Sequence, residues 1–308
     1  MKQHWTTDDI GDMTGKVVIV TGGNTGLGFE AVQIYAGKGA GVIMACRDMD
    51  KAKAAAGKIL AAHSGADVVP MLLDLSDLKS IRTFAKKFAG KYKRLDILLN
   101  NAGVMASPYC TTSDGFEQQL GVNHLGHFAL TGLLMDVLKK TAGSRVVNIS
   151  SNAHRMGRMD FDNLMCEDGR GYSPMKAYGQ SKLANLLFTY EMQRRAQKAG
   201  LDMRILAAHP GGANTELARH YEGRAFYKLF GWVWPMMAQS AYDGALPGVR
   251  ASVDEDAAGG TYYGPDGRMG MKGKPVLVSA SKAANSEEDA GRLWEESEKL
   301  TGVTYDFR

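Results

Sequence analysis

Cysteine, proline and long apolar runs are scarce in this 308-residue chain, and each scarcity removes a class of protein. The three cysteines, Cys46, Cys110 and Cys166, follow neither a metal-ligand nor a disulfide spacing, so no metal site is expected and a reducing, cytoplasmic setting is. The most apolar stretch, residues 229–238, falls far short of the roughly 20 residues that span a bilayer, and Pro235 interrupts it. Residues 1–15 are polar and resemble neither a signal peptide nor an anchor, so no integral membrane segment is expected. An excess of one charge is missing too: 37 basic and 33 acidic residues are interspersed and leave a net charge of +4. The densest basic run, Lys86, Lys87, Lys91, Lys93 and Arg94, reads as a solvated helix end, and nucleic acid is not an expected partner. With no repeat, low-complexity tract or linker, residues 1–308 are expected to form one domain.

What the chain does have is alternation. Short β-branched or aliphatic runs at 16–20, 41–45, 67–71, 95–99, 145–149 and 203–207 predict buried strands. Amphipathic segments at 26–38, 50–62, 77–90, 114–140 and 177–199 lie between or after them and predict helices. Strict alternation implies right-handed crossovers and an α/β fold with a doubly wound parallel sheet covered by helices on both faces. After residue 210 the pattern loosens, leaving a late strand at 275–279 and a helix that starts at Ser286 with Ala290, Leu293, Trp294 and Leu300 on one side. A doubly wound sheet binds ligands at the carboxyl ends of its strands. The chemical motifs fall just after those ends or on the helix that follows one.

The first strand runs into Thr21-Gly22-Gly23-Asn24-Thr25-Gly26-Leu27-Gly28 and then into a helix. Glycines there permit a sharp turn and close approach to a pyrophosphate, whose charge the free N–H groups of a helix start stabilise. Gly22, Asn24, Thr25, Gly26, Leu27 and Gly28 are therefore candidate dinucleotide ligands. At the end of the second strand stands Arg47, where an acidic residue would accept from a ribose 2′-hydroxyl. An arginine there meets a 2′-phosphate instead, which points to NADP (NADPH) rather than NAD. Asp48, next door, can restrain Arg47 or touch the ribose. Asp74 and Leu75 close the third strand, Asp74 serving either the adenine amino group or a helix cap. Asn100, Asn101, Ala102 and Gly103 close the fourth, where small residues let the backbone pass under a cofactor.

Tyr178 and Lys182 stand four residues apart on the predicted helix 177–199 and so share a face. An ammonium beside a phenol favours its ionised form, moving a group with a pKa of about 10 toward the working range of an acid–base catalyst. Together, Thr21 to Gly28, Asn100 to Gly103, Asn123, Ser150-Ser151, Tyr178-x-x-x-Lys182 and Pro210-Gly211, in that order, resemble the short-chain dehydrogenase/reductase family. Val122-Asn123-His124-Leu125-Gly126-His127-Phe128 and residues 45–48, 177–185 and 293–303 look like its retinol dehydrogenase branch.

The resemblance implies a Rossmann fold, proton transfer by Tyr178, ribose binding by Lys182, a substrate hydrogen bond from Ser151, and a water anchored by Asn123. It adds Asn101, Ala102, Gly103, Tyr178, Lys182, Pro210, Gly211 and Thr215 to the cofactor contacts; His154, in the excursion 152–177 where no spacing compels a catalytic role, reads as structural. It further implies hydride exchange between NADP and a carbonyl or alcohol of an apolar small molecule: an aldehyde, ketone, retinoid-like or steroid-like compound. Reduction of a carbon–carbon double bond, as in the similar protochlorophyllide reductases, and a non-catalytic dinucleotide sensor are the alternatives. Residues 221–238, within a segment at about 212–240, suit a substrate lid, a packed helix, a dimer contact or a membrane-leaning surface. Helices 114–140 and 177–199 resemble those through which family members form homodimers and homotetramers.

Overall fold

The computed structural model describes residues 5–212 and 239–308. The strands, β1 (Val17–Thr21), β2 (Gly41–Cys46), β3 (Asp67–Leu72), β4 (Ile97–Asn100), β5 (Ser144–Ile149), β6 (Met203–Ala208), β7 (Tyr262–Pro265) and β8 (Pro275–Leu277), form one eight-stranded sheet in the order β3-β2-β1-β4-β5-β6-β7-β8. All pairings are parallel except β7 with β8. Helices α1 (Gly26–Gly37), α2 (Met49–Ala62) and α3 (Leu78–Lys91) follow the first three strands. The run after β4 comprises α4 (Gln118–Leu120), a π-turn over Gly121–Leu125, α5 (Gly126–Leu133) and α6 (Met135–Lys139). Then come α7 (Pro174–Lys198), α8 (Ala241–Val253) and α9 (Glu287–Thr301).

The two-residue period of a strand sorts its side chains to the two faces. Val18, Val20, Val42 and Met44 enter one core with residues of α1, α2 and α8, whereas Ile19, Ile43 and Leu98 enter another with α3, α5 and α7. Burial on both faces is why these strands read as unbroken apolar runs. The crossing from β3 back to β4 places a reversal of strand order beside β1, the position at which such sheets open a ligand crevice.

The largest differences from expectation come late in the chain. The short strand β7 holds Gly264 and Pro265, which read locally as a turn; pairing with β6 and the close seat of the His209 ring over Gly264 recruit it to the sheet. Helix α8 contains Gly244, Pro247 and Gly248, all poor helix formers, yet Ser240 caps it and Ala245, Val249 and Ala251 are buried, so packing overrides propensity. Strand 95–99 shifts to Ile97–Asn100, and 275–279 shortens to an antiparallel edge that begins at Pro275, a position proline tolerates. The expected continuous helix at 114–140 is broken into its four pieces. Thr215 and the apolar residues 221–238 lie outside the described residues.

Trp294 of α9 and Tyr305 pack on Phe128 and Phe188, and the Tyr305 hydroxyl donates to the Phe128 carbonyl. The C-terminal segment thus covers α5 and α7 from outside. Among the described residues no helix is long and apolar enough to cross a membrane, and none of the His, Cys, Asp and Glu groups clusters as a metal site.

Candidate active site

A cleft of about 590 Å³ runs over the carboxyl ends of the parallel strands. One end is lined by Arg47 and Asp74; Gly22, Asn24, Thr25, Gly26, Leu27, Gly28, Leu75, Asn101, Ala102 and Gly103 form its length; Tyr178, Lys182 and Pro210 close the other. Sequence elements up to 188 residues apart, from Gly22 to Pro210, therefore meet on a single surface.

The glycine turn has the shape that a pyrophosphate needs. Gly22 and Gly26 take φ values of 66° and 54°, the left-handed region closed to most side chains. A Cβ on Gly28 would collide with the Gly22 carbonyl oxygen, so only glycine lets α1 start this close to the turn. The N-cap Thr25 makes no side-chain cap bond and the first turn holds no acidic residue, leaving the helix-start N–H groups and their positive potential to an anion. The residues fit a dinucleotide.

Beneath the turn, the Thr21 hydroxyl accepts from the backbone N–H groups of Asn101 and Ala102, each at 2.9 Å, while Asn101 Nδ2 donates to the Thr21 carbonyl. One threonine thus joins the first and fourth strand ends. At the far end, Arg47 is exposed and no described residue pairs with it. Asp48 does not restrain it: its carboxylate caps α2 through the Lys51 N–H and pairs with the Lys51 ammonium at 3.3 Å. Cys46 faces the Gly23 and Asn24 N–H groups, and burial pushes its thiol up to about 11. Asp74 acts as a turn acid, one oxygen accepting from both the N–H and hydroxyl of Ser76, while it still lines the cleft.

At the other end, α7 begins at Pro174, where a missing N–H costs nothing, and buries Tyr178 and Lys182. Lys182 Nζ lies 5.7 Å from the Tyr178 ring centre and donates to the Ile149 carbonyl at 3.0 Å, an acceptor it shares with Asn185 Nδ2. No carboxylate pairs with this ammonium among the described residues, and burial lowers its pKa to about 8. Helix α7 reaches the Ser151 turn because Gly179 and Gly157 meet backbone to backbone; a Cβ on Gly157 would strike the Gly179 carbonyl.

Ser150 and Ser151 differ in where their protons go. Ser150 lines the cleft, but its hydroxyl donates to the Lys182 carbonyl at 2.7 Å. Ser151 is next to the cleft lining, accepts from the Ala153 N–H at 3.2 Å and caps a short 3₁₀ turn, and its proton has no acceptor among the described residues. His154 ties this turn down, donating from Nδ1 to the Ser151 carbonyl and accepting at Nε2 from the Ser281 N–H. It is structural, as expected.

Asn123 stands behind the cleft wall instead of in it. Its Oδ1 accepts from the Val104 N–H at 2.8 Å, and its Nδ2 donates to the Val104 carbonyl and to Ser181 Oγ, both at 2.9 Å. A Cβ on Gly103 would lie 3.0 Å from Asn123 Oδ1 and 3.5 Å from Lys182 Nζ, so Gly103 is the thin partition between brace, lysine and cleft. Both ends of the side-chain amide are thus engaged with protein atoms. Gly211, with φ of 65°, turns the chain after Pro210 and does not line the cleft. The sequence reading missed Lys51, Met105, Gln118 and Val122 as lining residues, and Thr21, His127 and Asn185 as supports. The last three each stood inside a quoted motif, and the signal was a polar residue where burial was expected.

Comparison with known proteins agrees with this geometry. Residues 16–224 match the short chain dehydrogenase family. The chain is 46% identical to retinol dehydrogenase 13 of Homo sapiens over 294 residues, 94% of this chain and 85% of the relative. A protein from Mycobacterium paratuberculosis of known crystal structure is 41% identical and superposes with a TM-score of 0.81, over 98% of this chain and 99% of that one. A short chain dehydrogenase from Shigella flexneri, complexed with NADP, shares the fold at 23% identity and a TM-score of 0.64, over 81% of this chain and 96% of that one. With the Tyr178–Lys182 pair at one end of the cleft and the glycine turn along it, the chain belongs to the short-chain dehydrogenase family of oxidoreductases, in its retinol dehydrogenase-like branch.

Proposed function

We propose that the chain is an NADP-dependent oxidoreductase that interconverts a carbonyl and an alcohol on an apolar small molecule. The observation that carries this reading is the continuity of the cleft from Arg47, which has no partner among the described residues, to Tyr178 and Lys182. Arg47 receives the 2′-phosphate, the glycine turn and α1 start receive the pyrophosphate, and Lys182 holds the nicotinamide ribose hydroxyls. NADPH, when bound, supplies the hydride. Tyr178 donates its phenolic proton to the substrate oxygen, and the Lys182 ammonium favours the phenolate left behind. Ser151 donates a hydrogen bond to the same oxygen, where charge develops. Asn123 keeps Val104 in line with Ser181 and so braces the cleft wall at Gly103.

Met105, Val104 and Val122 give the cleft an apolar side, which supports an apolar substrate; the name of the human relative adds a retinoid-like alcohol or aldehyde as the first class to try. The NADP held by the Shigella flexneri protein supports the same cofactor here. The test is a spectrophotometric screen of NADPH oxidation over aldehydes and ketones of increasing chain length and ring number, repeated with NADH. Turnover with NADPH that improves with apolar size is expected. Tight NADPH binding with no turnover of any substrate would make the chain a sensor. Arg47→Ala should weaken NADPH about 10- to 150-fold, the worth of a charge-assisted hydrogen bond, and leave NADH nearly unchanged; equal loss for both cofactors would remove the NADP assignment.

A further inference from the structure

His127 has no part in the chemistry above, yet it is fully buried and bonded at both ring nitrogens. Its Nδ1 lies 3.0 Å from the Asn123 carbonyl oxygen, and its Nε2 lies 2.9 Å from Thr21 Oγ1. A carbonyl only accepts, so Nδ1 carries the hydrogen; Nε2 of the neutral ring then holds a lone pair, and the Thr21 hydroxyl donates to it. The direction of every bond in the chain follows. Asn101 and Ala102 donate to Thr21, Thr21 donates to His127, and His127 donates to Asn123. Burial lowers the imidazole pKa to about 4, which keeps the ring in the neutral form that this order requires.

The two ends of this chain belong to different halves of the site. Asn101 and Ala102 line the cleft beside the glycine turn, and a Cβ on Gly22 would sit 3.1 Å from Ala102 Cβ. Asn123 braces Val104 and Ser181, next to Lys182. His127 reaches both because the π-turn at Gly121–Leu125 precedes it, with the Gly126 N–H bonded back to the Gly121 carbonyl. Thr131, one turn on, donates to the His127 carbonyl and accepts from Asn100, so the ring is held on a fixed backbone.

We infer that His127 is a positioning residue that couples the cofactor seat to the proton-handling end of the site, one ring nitrogen serving each. Two isosteric substitutions separate the halves. In His127→Asn the amide falls at the place of Nδ1 and keeps a donor for Asn123, but cannot reach Thr21. In His127→Gln the amide oxygen reaches the place of Nε2 and keeps an acceptor for Thr21, but leaves the Asn123 carbonyl without its donor.

The inference rests on the dinucleotide reading of the cleft, and NADPH affinity distinguishes the two. NADPH dissociation constants by fluorescence titration, and kcat on the best aldehyde at saturating cofactor, are the readouts, with thermal melting as the check on folding. His127→Asn should weaken NADPH about tenfold, the effect of one buried hydrogen bond, with kcat near wild type. His127→Gln should bind NADPH nearly normally and lose about tenfold in kcat. Loss of both constants together in both variants, or of neither, would overturn the role of His127. A wild-type protein that fails to bind NADPH would instead overturn the reading of the cleft. If neither variant folds, the ¹⁵N shifts of the wild-type ring decide: a neutral Nδ1-protonated tautomer is expected, and an Nε2-protonated one removes the directional chain.

Discussion

Two neighbouring helical runs meet at the Tyr178–Lys182 end of the cleft, and they are built on opposite plans. Helix α7 is 25 residues long and unbroken, with Tyr178 and Lys182 on one buried face. The run from Gln118 to Lys139 is interrupted twice, by the π-turn around Asn123 and by a break at Leu134 with φ and ψ of −98° and 0°. The regular helix presents side chains at a spacing that its own geometry dictates. The irregular one re-aims a side chain and a carbonyl that a straight helix would have pointed along its axis. A helix that delivers chemical groups can be regular, whereas one that braces its neighbours bends to reach them.

The comparison is broken most completely by deleting the group that α7 delivers. Tyr178→Phe removes only a hydroxyl and is expected to keep fold and NADPH affinity while losing turnover by roughly 10²- to 10⁴-fold, the usual contribution of one positioned proton donor. Steady-state rates beside a cofactor titration check it; a variant keeping a third of wild-type activity would place the proton donor elsewhere.

A second test reads the buried ammonium. Lys182 in the folded, cofactor-free protein has a pKa near 8 against an ordinary 10.5. Between those values the unfolded chain holds the proton and the folded one does not, so this residue makes stability rise with pH across that window. Denaturation midpoints of wild type should therefore climb from pH 8 to pH 10 relative to Lys182→Met, and parallel curves would show that the ammonium is solvated. Loss of charge above about pH 8 should also weaken cofactor binding, since the ribose loses its cationic partner.

The smallest effect comes from the same substitution made in each run. Alanine gains up to about 1 kcal/mol over glycine in a helix interior. At Gly126 a Cβ would sit 2.5 Å from the Leu75 carbonyl oxygen, and at Gly179 it would sit 3.0 Å from that of Ala153. Gly126→Ala should cost ~1–2 kcal/mol net and weaken NADPH by displacing Leu75. Gly179→Ala should come out near neutral in stability. Urea unfolding of the pair settles the order, and the reverse order would mean that α7 is the less tolerant helix.

Strands β1, β2 and β4 to β6 were legible because they are buried on both faces and read as apolar runs, while the half-exposed edge strand β3 was legible from its aliphatic residues between turn signals. The strand β7 and helix α8 were not, since Gly264, Pro265 and Pro247 argue locally against what their neighbours impose. Among the site residues, the spacing of Tyr178 and Lys182 alone would have fitted a solvated surface pair, and the other motifs in the same order along the chain singled it out, whereas the glycine turn was readable from the backbone freedom that it needs. The supports were harder: Thr21, His127 and Asn185 each bond to a residue distant in sequence or to a main-chain atom, and neither leaves a period in the chain.

The order of residue types along the chain by itself determined the α/β alternation, the glycine turn, the arginine after the second strand and the Tyr178–Lys182 pair, because these depend on contacts within a few residues. Tertiary structure alone decided that Ser150 gives its proton to the Lys182 carbonyl and Ser151 does not, that Asp48 turns to Lys51 and not to Arg47, and that Asn123 braces Val104 from behind Gly103. The reason is that a buried polar group must find its partner in three dimensions. Which of several chemically equivalent side chains remains available to a ligand is set by the bonds the others have already made.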